Sequence, residues 1–186
     1  MRLTKRVHKT LSHSVCAGDY CIDLTLGNGL DAIHLSGLVG TKGKVFAFDI
    51  QDEALKSTRL LLSQKTKTTN LYLFKECHSN FTSNVPPELK GKIKAIVMNL
   101  GYLPGANKSI ITRPSSTLKA LKSAYSWLSP RGFITIISYR GHKGGMEEFN
   151  FIQDWIVNDE LEHQKVEPSN DEHSPVMFLL RKSQKG

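Results

Sequence analysis

The stretch Asp23-Leu24-Thr25-Leu26-Gly27-Asn28-Gly29-Leu30-Asp31 decides the fold. It closes an apolar segment, Tyr20 to Leu24, and opens a helix-like run, Leu30 to Val39. A second apolar segment, Val45 to Phe48, then ends on Asp49. This is the layout of a nucleotide-binding βαβ unit. Glycines let the backbone turn tightly and approach a ligand, and an acid at the second strand tip can hold ribose hydroxyls. Gly27-Asn28-Gly29-Leu30-Asp31-Ala32 fits the pattern G-x-G-x-x-G/A, and Asp49 stands 22 positions after Gly27. A bound adenosine-type cofactor is therefore expected.

Alternating strands and helices extend from this unit in both directions. A helix is expected over 2–16, and strands over 19–25, 44–49, 70–75, 93–99 and 133–139. Helices are expected over 30–39, 51–65 and 146–157, and a closing antiparallel pair over 161–166 and 176–181. Pro114 suits the first turn of a helix, where its missing donor costs nothing. Leu118, Leu121, Tyr125 and Leu128 then form one apolar stripe, which Ser129-Pro130-Arg131-Gly132 should end. The pattern predicts an α/β fold with an open, mostly parallel sheet of seven strands and helices on both faces. The 186 residues suit one domain with a full core. In such sheets ligands sit beyond the carboxyl ends of the strands, where the strand order reverses.

Composition narrows the partners. No apolar run approaches the roughly 20 residues needed to span a bilayer. The basic N-terminus lacks the apolar stretch of a signal peptide and reads as a helix of the mature protein. Cys16, Cys21 and Cys77 are too few and wrongly spaced for zinc or a disulfide framework, and read as small core residues in a reducing, cytoplasmic compartment. No metal is expected. The net charge is +8, and no acid lies between Glu88 and Glu147, a stretch with ten Lys and Arg. Nine of the 17 acids fall between Glu147 and Glu172. A basic body of this kind suits a polyanion such as RNA, or is merely a basic solvated surface.

Two features favour S-adenosylmethionine (SAM) over a nicotinamide dinucleotide. Asp23, four residues before Gly27, could meet the cationic amino group of a methionine moiety, directly or through water. It would repel a pyrophosphate. A helix-capping or loop-ordering acid is the alternative for Asp23. The chain also leaves no length for a separate substrate domain. Strand four ends in Asn99-Leu100-Gly101-Tyr102-Leu103-Pro104, whose start resembles the Asn-Pro-Pro-Tyr motif of amino-group methyltransferases at its first and fourth positions. There an amide oxygen and a backbone carbonyl accept from the target nitrogen, and the aromatic ring stacks on the base. An ordinary turn with a capping Asn is the alternative. His78 follows strand three at the depth of an adenine ring, and Tyr139-Arg140-Gly141-His142 follows strand five on the same rim.

Taken together, the strings at 23–31, 46–51, 99–104 and 108–112, with Gly141-His142, closely resemble the YtqB/MnmM-like family, long labelled rRNA methylases. The resemblance runs from about residue 12 to 182. It implies a class I SAM-dependent methyltransferase fold, Rossmann-like. It implies methylation of the aminomethyl nitrogen of 5-aminomethyl-2-thiouridine at the tRNA wobble position, and often a homodimer. Carried onto this chain, it implies a cofactor set of Asp23, Thr25, Gly27, Asn28, Gly29, Asp31, Asp49, Ile50, Gln51, His78, Asn99, Leu100 and Gly101. Tyr102, Pro104, Lys108, Arg113, Tyr139, Arg140 and His142 would meet the anticodon stem-loop. Asn99, Tyr102 and His142 would serve the transfer itself. The chain departs from the family pattern at Leu24, Ala32, Cys77-His78-Ser79 and Arg140.

Three other functions fit the same sequence. One is methylation of rRNA or another RNA base. The second is a nicotinamide-dependent oxidoreductase. The third is a catalytically silent RNA-binding module, which should lack the Asp23, Gly27 and Asp49 set present here.

Overall fold

A computed structural model describes residues 2–65, 69–105, 107 and 109–183. Seven strands form one sheet: β1 Tyr20–Asp23, β2 Lys44–Asp49, β3 Leu71–Lys75, β4 Ile93–Asn99, β5 Leu128–Ser138, β6 His163–Val166 and β7 Val176–Arg181. Their order is β3-β2-β1-β4-β5-β7-β6. The first five run parallel, and β7 is antiparallel to both its neighbours. The order reverses between β1 and β4, so the crevice expected for a ligand lies between their tips.

Among the described residues, five α-helices cover the sheet: α1 Leu3–Ser14, α2 Leu30–Val39, α3 Asp52–Lys65, α4 Pro114–Trp127 and α5 Gly145–Asn158. Successive strand residues point to opposite faces and so feed two cores. Ile22, Ile96 and Ile134 pack with Leu121 and Ala124 of α4 and with Ile152 and Trp155 of α5. Cys21, Val97 and Phe133 face the other way, onto Leu3, Val7 and Leu11 of α1 and Leu35 and Val39 of α2. The apolar residues of α1 recur every four positions, which makes one stripe and seats the helix beside the first βα turn. Helix α2 stops at Gly40, whose φ of 59° suits glycine.

Several boundaries differ from those expected. The first strand is shorter than 19–25, because Leu24 and Thr25 already bend into the glycine loop. The closing pair begins at His163 rather than Leu161. Ser129 to Gly132 does not separate helix from strand, since β5 already begins at Leu128. The segment bulges out of an established ladder: Ile93 pairs with Leu128 and Ala95 with Phe133. Pro130 has no N–H to give the ladder, and Arg131 takes a φ of 61°. A 3₁₀ segment over His78–Ser83 was not expected. Cys21 is buried, but Cys16 is exposed and Cys77 half-buried, so only the first is a core residue.

Candidate active site

The loop after β1 is held by backbone groups donating to carboxylates. Gly27 N–H donates to Asp49 Oδ2 (3.0 Å) and Gln51 N–H to Asp49 Oδ1 (3.0 Å). Each Asp49 oxygen keeps a lone pair, so ribose hydroxyls can still donate to this carboxylate. Asp23 accepts from Thr25 N–H at 3.0 Å. Gly27 (φ 52°) and Gly29 (φ 78°) both occupy the left-handed region.

A cavity of about 850 Å³ opens at the carboxyl edge, in the range of small-molecule sites. Most of the expected residues line it. Thr25, Gly27, Asn28 and Asp31 come from the β1–α2 turn, Asp49, Ile50 and Gln51 from the β2 tip, and His78 from the 3₁₀ segment. Asn99, Leu100, Gly101, Tyr102 and Pro104 come from the β4 tip, Arg113 from the start of α4, and Tyr139 and His142 from the β5 tip.

Three expected residues stand elsewhere, and Lys108 lies outside the described residues. Asp23 does not line the cavity. It is fully buried, accepts from Thr25 N–H through Oδ1, and its Oδ2 has no partner among the described residues. Gly29 is also off the lining: a Cβ there would stand 2.3 Å from Thr58 Oγ1, so this glycine lets α3 approach. Arg140 is buried and engaged. Its Nε donates to Ser174 O (2.7 Å), Nη1 to Glu167 Oε1 (3.2 Å) and Nη2 to Asp171 O (3.2 Å), so it clamps the 167–174 segment and cannot hold a phosphate.

The β4 tip is built from distant side chains. Asn99 N–H donates to Thr25 Oγ1 (2.7 Å), joining β4 to the glycine loop. Asn99 Nδ2 donates to Asp31 Oδ2. A carboxylate accepts only, so this contact assigns the amide: nitrogen toward Asp31, oxygen away. Asn99 Oδ1 is then buried with no partner among the described residues. Gly101 N–H donates to Thr112 Oγ1 (2.9 Å), and Thr112 N–H returns to Gly101 O (2.9 Å). Thr112 Oγ1 donates to Glu148 Oε2 (2.7 Å) and Thr117 Oγ1 to Glu148 Oε1 (2.6 Å). Burial raises the Glu148 carboxyl, and the two hydroxyls pull it back down.

Two imidazoles offer unpartnered nitrogens. His78 Nε2 is buried without a partner among the described residues, and burial lowers this histidine to about 4, so the ring is neutral. His142 Nδ1 lies 3.0 Å from Lys143 O, which places its proton there and leaves the buried Nε2 as an acceptor. The His142 ring meets Tyr102 edge-on at 6.1 Å.

Sequence reasoning missed Glu148, Thr117, and Thr4 and His8 of α1. Thr4 lines the cavity, and His8 Nε2 lies 2.6 Å from Asp31 Oδ1. Glu148 carried no signal, because burial of one acid of the Glu147-Glu148 pair depends on how α5 packs.

The electrostatics fit a cationic nucleoside. Burial, then the charge of Asp31 and more weakly that of Asp49, push the Asp23 carboxyl well above its ordinary value. Three carboxyls thus gather around one turn, which an ammonium or sulfonium group would relieve and a pyrophosphate would aggravate. Asp49 and neutral His78 remain for ribose and adenine.

Comparisons with known proteins agree. A protein of Arabidopsis thaliana named tRNA (mnm(5)s(2)U34)-methyltransferase, chloroplastic, is 38% identical, over 97% of this chain and 69% of its own length. A crystal structure from Clostridium thermocellum, described as a "putative rRNA-methylase", has a TM-score of 0.89 at 32% identity and covers 96% of both chains. A protein of Streptococcus mutans in complex with SAH has a TM-score of 0.85 at 31% identity, covering 98% of each chain. Solved SAM-dependent methyltransferases share the fold at lower identity, as one from Thermotoga maritima does at a TM-score of 0.63. Residues 45–182 match the family described as "Putative rRNA methylase", and the chain belongs to that family, with the class I methyltransferase fold.

Proposed function

We propose that this chain methylates the aminomethyl nitrogen of wobble 5-aminomethyl-2-thiouridine in tRNA, using SAM. The observation that carries the proposal is the Asn99 amide: its nitrogen is tied to Asp31, and its oxygen is buried beside the cavity with no partner among the described residues. An oxygen held this way accepts an N–H of an incoming amine, and the Leu100 carbonyl can accept another. The reaction class and the RNA are those in the name of the Arabidopsis thaliana relative.

Bound SAM supplies an electrophilic methyl carbon on sulfur. The chain's residues would hold it by Asp49 at the ribose, His78 at the adenine and the Asp31 side of the loop at the methionine ammonium. Holding two reactants at contact distance contributes several kcal/mol to such a displacement. An alkylammonium has no lone pair to attack with, so the site must favour the neutral amine. Leu100 and Leu103 supply apolar walls that disfavour the charged form. The amine nitrogen forms the new bond to carbon, the carbon–sulfur pair leaves with sulfur, and one N–H proton departs. His142 Nε2 is the acceptor we assign to that proton. Tyr102, 41% exposed, would stack on the uracil.

Arg113, exposed at the cavity mouth, would grip a phosphate of the anticodon stem-loop. A cytoplasmic location and a homodimer complete the proposal, and light scattering tests the second. The decisive experiment offers labelled SAM with tRNA that carries or lacks the aminomethyl group. Label should enter only the former. Equal labelling of both, or labelling of rRNA alone, would overturn the proposed substrate.

A further inference from the structure

Helix α1 does more than cover the sheet. Leu3, Val7 and Leu11 anchor it, and His8, next in sequence to Val7, reaches across to the first turn of α2. There His8 Nε2 meets Asp31 Oδ1 at 2.6 Å, while Asp31 Oδ2 accepts from Asn99 Nδ2. The imidazole itself is fixed: it stacks on His34 with centroids 4.3 Å apart and planes 5° from parallel. His34 Nε2 is in turn 3.0 Å from Ser12 Oγ of the same helix α1. Burial, and then the neighbouring His8, hold His34 below the usual histidine range, which favours its neutral form.

The chain of contacts has a chemical consequence. An amide presents an oxygen or an NH₂ depending on a half-turn of its last torsion, and only the oxygen can accept from an amine. Asp31 selects the useful orientation only while both its oxygens act as acceptors. His8 Nε2, 2.6 Å from Oδ1, donates to that oxygen and fixes the carboxylate so that Oδ2 stays against the Asn99 NH₂.

We propose that His8 is a positioning residue, acting through Asp31 to hold the Asn99 amide oxygen toward the nucleophile. This rests on the role given to Asn99 above, and the test separates the two. His8→Phe keeps the stack on His34 and removes the donor. His8→Gln keeps a donor within reach of Asp31. On full-length chain and tRNA bearing the aminomethyl group, His8→Phe should lower kcat about tenfold while KM for SAM and for tRNA stay within about twofold. His8→Gln should recover most of the loss. In an Asn99→Ala background, His8→Phe should add nothing, because its effect passes through that side chain. Should His8→Phe not fold, His8→Asn, too short to reach Asp31, takes its place.

Wild-type kcat in His8→Phe, alongside a crippled Asn99→Ala, overturns the inference and leaves the Asn99 role standing. So does an undiminished effect of His8→Phe in the Asn99→Ala background, or a loss that falls on KM for SAM alone. Full turnover in Asn99→Ala overturns both proposals.

Discussion

On the β1–β2 side of the cavity, backbone N–H groups of Gly27, Gln51 and Thr25 are held by the carboxylates of Asp49 and Asp23. On the β4–β5 side, the polar groups are held by side chains far away in sequence. Asn99 is tied to Asp31, 68 positions earlier, and Thr112 to Glu148, 36 positions later. The first half is a cradle of main chain, whose shape follows from a few acids and glycines. The second is a set of side chains aimed by other side chains, so one substitution can redirect a reacting group and leave the cradle intact. Binding of SAM and transfer of its methyl group should therefore be separable by mutation.

The largest effect should come from Asn99→Ala. Its main-chain bond to Thr25 survives, so affinity for SAM, read by calorimetry, should change less than about threefold, while kcat falls about 10²–10³-fold, the scale of losing one oriented polar group at a reacting centre. If affinity falls as far as turnover, the two halves are one unit and the comparison breaks.

Two buried groups, one on each side, should also differ in the sign of their pH dependence. On the cradle side, His78 sits at about 4, against about 6.5 for an unfolded histidine. Between those values the unfolded chain binds a proton that the folded chain refuses. The contribution of His78 is thus complete above about pH 6.5 and is lost as pH falls toward 4, by up to about 3 kcal/mol. On the other side, the raised Glu148 carboxyl acts in reverse. Its contribution is full below the ordinary glutamate value and declines as pH rises through its folded value. Urea unfolding from pH 4 to 7 should show a smaller loss at the acid end in His78→Asn than in the parent chain. Glu148→Gln should lose less stability than the parent as pH rises above the ordinary glutamate value. Identical slopes in parent and variants would remove both groups from the account.

Asp49→Ala is the mirror of Asn99→Ala. Loss of the acceptor for Gly27 and Gln51 should weaken SAM about 10–100-fold, while turnover at saturating SAM stays within about threefold. A collapse of turnover with unchanged SAM affinity would invert the comparison.

The same contrast explains what could be read from sequence. Gly27, Gly29 and Asp49 sit at fixed spacings because a main-chain cradle needs glycine and acid at set distances along one βαβ unit. Residues 44–49 and 93–99 were legible as strands because both are near-continuous apolar runs in a sheet buried on both faces. The Asn99 corner was legible only as a motif. Its supports were not, because His8, Asp31 and Glu148 reach it through packing that no local spacing encodes. Asp23 was legible as an acid at the right turn but not as a buried one, since sequence places an acid at a strand tip without fixing its depth. The bulge at Pro130 was read as a turn for a related reason: the ladder resumes through pairing with Ile93 and Ala95, which lie on another strand.

The smallest effect concerns two arginines that look alike in sequence, 27 positions apart on the acid-free stretch. Arg113 is exposed at the mouth of the cavity. Arg140 is buried, its guanidinium bonded to three groups of the 167–174 segment and lying 5.0 Å above the Phe149 ring. A phosphate contact contributes through counterion release, so Arg113→Ala should weaken tRNA about threefold at moderate salt and lower the slope of log affinity against log salt by about one. Melting temperature should hold, because an exposed side chain outside the core contributes little to folding. Arg140→Ala should do the opposite: the salt slope stays and stability drops, since two carbonyls and the Glu167 carboxylate lose a buried donor. A reduced salt slope in Arg140→Ala would mean that the clamp opens on RNA, and the 167–174 segment would then belong to the binding surface.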